Sequence, residues 1–230
     1  MNNVSSSTKN LGEQAYEALR EAIITLELEP GQTIFENEIA SQLSISRTPT
    51  RDAFKLLISE GLIEVTPQRT KKVVRISESK VKESGFVRLS LETSAFKLVA
   101  TNWQSTKVYE TAEREIKRIL QQQREAAEDQ DMKLFLQWDE AFHNRILQLA
   151  GNETLQGVIY HMRGHLNRFR YLAMREIVLT EDLIVDHEQL FTCLTHKEEK
   201  KVEELLKRHL TKYHAEIPRL REQFPTYFTD

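Results

Sequence analysis

The chain has a single cysteine, Cys193, among 230 residues, so no internal disulfide can staple it and a reducing compartment suits it. Glycine and proline are scarce too, at seven and five. A sandwich of short strands spends such residues on turns about every ten positions, so long helices fit better. No stretch approaches the ~18 consecutive apolar residues of a membrane span. The opening MNNVSSSTKN is polar and lacks the apolar core of a signal peptide. A global basic field is missing as well, because the formal net charge is −3. These absences predict a soluble, cytoplasmic protein with no membrane partner. Hydrophobic residues at 40% and charged residues at 29% make it globular, with length for one large domain or two smaller ones. Residues 1–10 read as a disordered tail.

From Leu11 to about Leu28, apolar residues recur at helical spacing (Leu11, Ala15, Ala18, Leu19, Ala22, Ile23, Leu26) until Pro30-Gly31. A second helix is expected over 36–43, burying Ile39, Ala40 and Leu43. After Ser44-Ile45-Ser46 a third begins, with Ser46 as N-cap, Pro49 in its first turn and Gly61 as its stop. LIEV (62–65) and VVRI (73–76) read as two short strands around TPQRTKK. Three helices followed by a hairpin predict a winged helix-turn-helix.

The start of the third helix carries Arg47, Thr48, Thr50 and Arg51. In a helix-turn-helix this end enters the major groove. Arg47 and Arg51 lie about one turn apart, and guanidinium forks suit guanine N7 and O6 or phosphate oxygens. From Arg47 to Arg75 seven basic residues stand against three acidic ones, a local basic excess in an acidic protein. A solvated charged face would also contain arginines. The ordered run of break, cap, arginine pair, glycine stop and basic hairpin favours DNA.

EPGQTIFENEIASQLSISRTPTRDAFKLLISEGLIEVTPQR resembles the DNA-binding domain of the GntR superfamily of bacterial transcription regulators, and the resemblance spans 11–76. It implies that Arg47 and Arg51 read bases and backbone, that Asn37 approaches the DNA, and that the wing enters the minor groove. The family's wing tip usually carries glycine near Thr70, so this wing departs from the pattern. Arg69, Lys71 and Lys72 remain available for phosphates.

Beyond a polar joint at 77–80 the pattern is entirely helical, over about 80–103, 107–129, 131–150, 152–175, 180–195 and 197–220. An antiparallel bundle over 81–230 is expected, making the fold mainly α. Polar residues interrupt its apolar faces: Asp139 and His143 at i, i+4, His187 in DLIVDHEQLF, and His209 in VEELLKRHL. Such a set suits zinc, nickel, manganese or iron. His161 and His165 form a competing i, i+4 pair, and a lone histidine on an apolar face is more often a hydrogen-bonded core residue.

RLSLETSAFKLVA (88–100), DEAFH followed by AGN, DHEQLF and His209 together resemble the FCD effector domain of one GntR subfamily. The resemblance implies a divalent metal, Zn²⁺ first with Ni²⁺, Mn²⁺ or Fe²⁺ as alternatives, on Asp139, His143, His187 and His209. It leaves His161 and His165 without a counterpart. The six-helix count resembles the VanR-like branch. The resemblance also places Arg88 at an effector cavity, clamping a small carboxylate, although Arg88 and Glu92 are spaced for a simple i, i+4 ion pair. The function implied is a homodimeric repressor on a palindromic operator, controlled by a small organic acid. A metallohydrolase using Glu140 or Glu188 as base is the rival. Neighbouring helical residues point about 100° apart, which speaks against either glutamate.

Overall fold

The computed structural model describes residues 11–177 and 180–229; the tail expected over 1–10 lies outside the described residues. The described chain forms two compact units, one of residues 11–76 with Thr226–Thr229 and one of Ser77–Pro225.

In the first unit, α1 (Leu11–Ile24), α2 (Glu36–Gln42) and α3 (Arg47–Ser59) precede β2 (Ile63–Val65) and β3 (Lys71–Val73). A short β1 (Thr33–Ile34) joins the far edge of β3, so the sheet is three-stranded in the order β1-β3-β2, all antiparallel. Two residues are too short for strand periodicity to show, which is why β1 is absent from the sequence expectation. The first helix stops at Ile24, sooner than Leu28, where Leu26 takes a left-handed φ of 59°. At the end of α3, Gly61 adopts φ 69° and the Leu62 N–H reaches back to the Leu57 carbonyl. That is the glycine stop expected there. Ala15, Leu19, Ile23, Ile39, Phe54, Leu57, Leu62 and Val73 make this unit's core.

The second unit is helical throughout: α4 (Glu78–Asn102), α5 (Lys107–Glu128), α6 (Met132–Leu149), α7 (Glu153–Ile177), α8 (Thr180–Thr195), α9 (Glu199–Leu210) and α10 (Tyr213–Gln223). The expected joint at 77–80 is the beginning of α4, with the Ser77 hydroxyl accepting from the Lys80 N–H. Asp131 and Asn152 cap α6 and α7 by accepting the Leu134 and Leu155 N–H groups.

One expectation fails here. The helix read over 197–220 is broken at Thr211-Lys212, giving seven helices among the described residues and not six. The six-helix count behind the VanR-like likeness therefore does not hold. No glycine or proline marks the break. The Thr211 hydroxyl donates to the Lys207 carbonyl, a local alternative to helical pairing. The turn sends Tyr213 under α4 at Gly85, where a Cβ would come within 2.5 Å of the tyrosine ring.

The expected boundary at 81–230 also changes, because Thr226–Thr229 belong with the winged unit. Phe228 forms a parallel bridge with Ile76; the Ile76 N–H donates to the Tyr227 carbonyl and the Thr229 N–H donates to the Ile76 carbonyl. Both Ile76 and Phe228 are buried, and a side chain of that size contributes about 1.5–3 kcal/mol on burial. Deleting residues 226–230 should therefore strip the Ile76 amide of its hydrogen-exchange protection while α5 and α6 keep theirs. Exchange followed by mass spectrometry checks this, and an Ile76 amide that stays protected contradicts it.

Candidate functional site

In the winged unit, Arg47, Thr48 and Arg51 are exposed at the start of α3, and Asn37 is exposed on α2. Thr50 is not available to DNA: it is fully buried and its hydroxyl donates to the Ser46 carbonyl. Helical geometry decides this, since Thr50 shares the inward face with Ala53, Phe54 and Leu57. Ser46 stands at the N-cap position, but its side chain makes no cap bond.

The wing turn explains the absent glycine. The Arg69 N–H donates to the Thr66 carbonyl, the Thr66 N–H to the Thr70 carbonyl, and Arg69 itself holds φ 61°. A three-residue hairpin loop needs one left-handed position, and here Arg69 fills it. Its side chain is exposed, whereas those of Lys71 and Lys72 are half-buried.

In the helical unit, α6 supplies Asp139 and His143, α8 supplies His187 and α9 supplies His209. All four are buried, with possible ligand atoms within 4.8 Å of one another. The three Nε2 atoms form a triangle with sides of 3.2, 3.2 and 3.3 Å. Asp139 Oδ1 lies 3.6 Å from His187 Nε2 and has no hydrogen-bond partner.

The outward nitrogens all face acceptors, those of His187 and His209 at hydrogen-bond geometry and that of His143 in a close ion-pair contact. His143 Nδ1 meets Glu92 Oε2 at 2.7 Å, His187 Nδ1 meets Gln123 Oε1 at 2.8 Å, and His209 Nδ1 meets Asp186 Oδ2 at 3.3 Å. An acceptor at Nδ1 keeps the proton there and leaves the Nε2 lone pair facing the centre. Burial favours the neutral rings: it pushes His143 down to about 4, His187 well below its ordinary value, and His209 down as well. Three lone pairs facing one another in a dry core repel unless a cation lies among them. Ligands about 2.1 Å from an ion are roughly 3.0 Å apart at right angles and roughly 3.4 Å apart at the tetrahedral angle. The observed triangle falls between those values, so the residues fit a divalent metal.

Beside this cluster lie arginines paired with carboxylates. Arg88 Nε donates to Glu92 Oε1 at 2.6 Å, both groups buried. The simple ion pair is thus present, and its carboxylate also holds His143. Arg170 donates to Asp139 Oδ2 at 2.7 Å. Burial opposes ionisation of Asp139, but Arg170 and the neighbouring groups overcome it and hold the carboxyl well below its usual range. Arg88, Arg170, His209, Lys212, Tyr213 and Glu216 line one cavity of about 50 Å³.

His161 is exposed, and His165 Nδ1 lies 3.0 Å from the Arg168 guanidinium; neither joins the cluster. Glu140 is taken by Asn167 and lies 4.0 Å from Arg163. Glu188 pairs with Arg124 at 2.7 Å on the surface. No base for a hydrolase is aimed at the cluster from either residue.

Glu92, Gln123, Asp186 and Arg170 adjoin the cluster, and the sequence reading gave none of them a place there. Gln123 had a signal: it occupies the buried stripe of α5 with Ile116, Ile119, Leu120 and Ala126, where an apolar residue would be ordinary.

A winged helix with an arginine pair on its third helix, followed by a helical unit with a buried Asp/His cluster, defines a two-unit class of DNA-binding protein. The profile described as "Bacterial regulatory proteins, gntR family" matches residues 11–73, and that of the FCD domain matches 83–212. The chain belongs to the GntR family of bacterial regulators, in its FCD-bearing division; it is a DNA-binding transcriptional regulator and not an enzyme. It is 26% identical over 223 residues to the HTH-type transcriptional repressor RspR of Escherichia coli, covering 97% of this chain and 96% of that one. It is 31% identical over 162 residues to the gluconate operon transcriptional repressor of Bacillus subtilis, covering 70% and 63% respectively. The solved structure of E. coli McbR/YncC superposes with a TM-score of 0.79 at 20% identity, covering 94% of this chain and all of that one, a likeness of fold. No helix among the described residues is long and apolar enough to cross a membrane.

Removing a ligand should empty the cluster, and loosening its support should weaken it. Asp139→Ala and His187→Ala are expected to lose bound metal, while Glu92→Gln lowers metal affinity by about 10–100-fold. Elemental analysis and competition with a chromogenic chelator measure both. Stoichiometric metal in both ligand mutants would refute the site.

Proposed function

We propose that this regulator is a homodimeric repressor whose hold on a palindromic operator is controlled by a small hydroxy or dicarboxylic acid, sensed at a metal in the helical unit. The observation that carries this reading is the triangle of Nε2 atoms beside the unpartnered Asp139 Oδ1. Zinc is the first choice for three imidazoles and a carboxylate, and nickel, manganese and iron share the preference.

Charge supports an anionic effector. With the histidines neutral, Arg88, Arg163 and Arg170 balance Glu92, Asp139 and Glu140 around the cluster. A divalent ion then leaves two positive charges in a buried space, which a dianionic carboxylate would neutralise. Arg88 and Arg170 would clamp the acid while the metal supplies a Lewis-acidic partner for an oxygen. Arg88 already holds Glu92, which supports His143, and Arg170 holds the proposed ligand Asp139 itself. An effector drawing on either one therefore alters the ligand set.

On the DNA side, Arg47, Thr48 and Arg51 with Asn37 would enter the major groove, and Arg69 with Lys72 would meet phosphates. A twofold operator calls for a twofold protein. The relatives named as repressors support repression, and the gluconate operon regulator adds an acid-related precedent. Effector control follows from linkage: a ligand that prefers one state of the protein must change operator affinity by the same factor that DNA changes ligand affinity.

The test separates reading from sensing. Arg47→Ala or Arg51→Ala should cost about 1–3 kcal/mol of operator discrimination with metal content unchanged. Arg88→Ala, reloaded at saturating metal because its Glu92 support for His143 is weakened, should bind operator yet fail to respond to a panel of hydroxy and dicarboxylic acids. Stripping the metal with a chelator should abolish that response in the wild type. Gel shifts and elemental analysis report all of these. A chelator-treated protein that still releases operator on addition of acid would refute metal-dependent sensing.

A further inference from the structure

Glu36 is the first residue of α2. Its Oε1 lies 3.1 Å from Lys71 Nζ, and its Oε2 lies 3.9 Å from Arg51 Nε. Lys71 is on β3 and Arg51 is in the early turns of α3, so one carboxylate of α2 addresses two further elements. The Lys71 ammonium also sits 5.8 Å over the Phe54 ring, whose side chain is fully buried. Lys71 is therefore placed from two sides and is only 24% exposed along its side chain, whereas Arg51 is 64% exposed.

For bare affinity this carboxylate is unfavourable. A surface that meets a polyanion gains from each cation that displaces counterions, and Glu36 cancels one. A lysine already paired merely exchanges one anion for another when a phosphate arrives. A guanidinium beside a fixed negative charge is biased towards one orientation. Base readout needs that orientation, whereas phosphate contact tolerates many.

We propose that Glu36 is a specificity-determining positioning residue: it withholds Lys71 from the phosphates and orients Arg51 towards base edges, so that unrelated duplexes gain less than the operator. The inference rests on DNA binding by this family, not on the metal or the effector. A plain structural brace between wing and helix would leave the ratio of operator to unrelated binding unmoved.

The experiment uses the full-length protein, an operator selected by the wild type from random duplexes, and a scrambled duplex of the same composition. Affinities are measured across a salt series. Glu36→Gln should bind scrambled DNA about tenfold more tightly, with a salt slope steeper by about one. Its operator affinity should rise by less, so discrimination falls, and Glu36→Asp should retain most of it. In a Lys71→Gln background, the gain of Glu36→Gln on scrambled DNA should shrink, as coupled residues require. A parallel change on both duplexes, or no change, overturns the proposal. Should Glu36→Gln unfold, Lys71→Gln alone decides. A withheld lysine leaves scrambled-DNA affinity within about twofold, and a drop of about tenfold overturns the idea.

Discussion

Three imidazole nitrogens held within 3.3 Å of one another, each with its proton drawn to the opposite side of the ring, set the conditions that the helical unit must meet. Such a cluster cannot be left half-organised in a dry core. Each Nδ1 requires an acceptor, each acceptor needs its own support, and the helices must approach closely enough to bring α6, α8 and α9 to one point. Glu92, Gln123 and Asp186 meet the first need from α4, α5 and α8. Arg88 supports Glu92, while Arg208 and Lys212 support Asp186. Breaking a buried pair by removing one partner typically costs about 3–5 kcal/mol, so this network constrains the packing as strongly as the apolar core beside it. The break at Thr211-Lys212 fits that demand, since it ends α9 just after His209 and lets Lys212 reach Asp186.

The same network makes the cavity and the cluster one electrostatic object. Arg88 reaches His143 through a single carboxylate, and Arg170 is bonded to Asp139 itself. An anion entering the cavity would compete for the guanidinium groups that hold Glu92 and Asp139. A cation at the cluster changes the charge those guanidinium groups face. By reciprocity, a metal and an acid bound as proposed would modify each other's affinity. The surroundings of Asp139, His143, His187 and His209 thus suit the sensing role proposed for them, and no general base is aimed at the set from Glu140 or Glu188.

Much of this was legible in the chain, and what was not has physical reasons. Asp139, His143, His187 and His209 announced themselves because polar residues on apolar helical faces violate the period. Gln123 breaks the same rule, but a glutamine within QQQ on a charged helix draws no attention. Glu92 was visible only as half of an i, i+4 pair; that its second oxygen faces another helix is a tertiary fact. The winged unit was legible from caps and stops, down to Gly61. Its two-residue β1, the return of Phe228 to Ile76, and the burial of Thr50 depend on contacts distant in sequence or on a single helical phase angle.

The winged unit carries an analogous tension between stability and reading. Arg69 occupies a left-handed position where an ordinary side chain costs about 1–2 kcal/mol, and the exposed charge at the turn is what that strain maintains. Thr50 turns inward between two outward arginines, so the phase of α3 that seats Ala53, Phe54 and Leu57 in the core also sets the direction of Arg47 and Arg51. Changing the packing of Phe54 would rotate both arginines with it. Lys71 lies over that same ring and beside Glu36, so the core, the wing and the recognition helix meet at one aromatic side chain. If Arg47 and Arg51 read DNA as proposed, recognition depends on how the small core is packed, since the exposed residues express a geometry fixed beneath them.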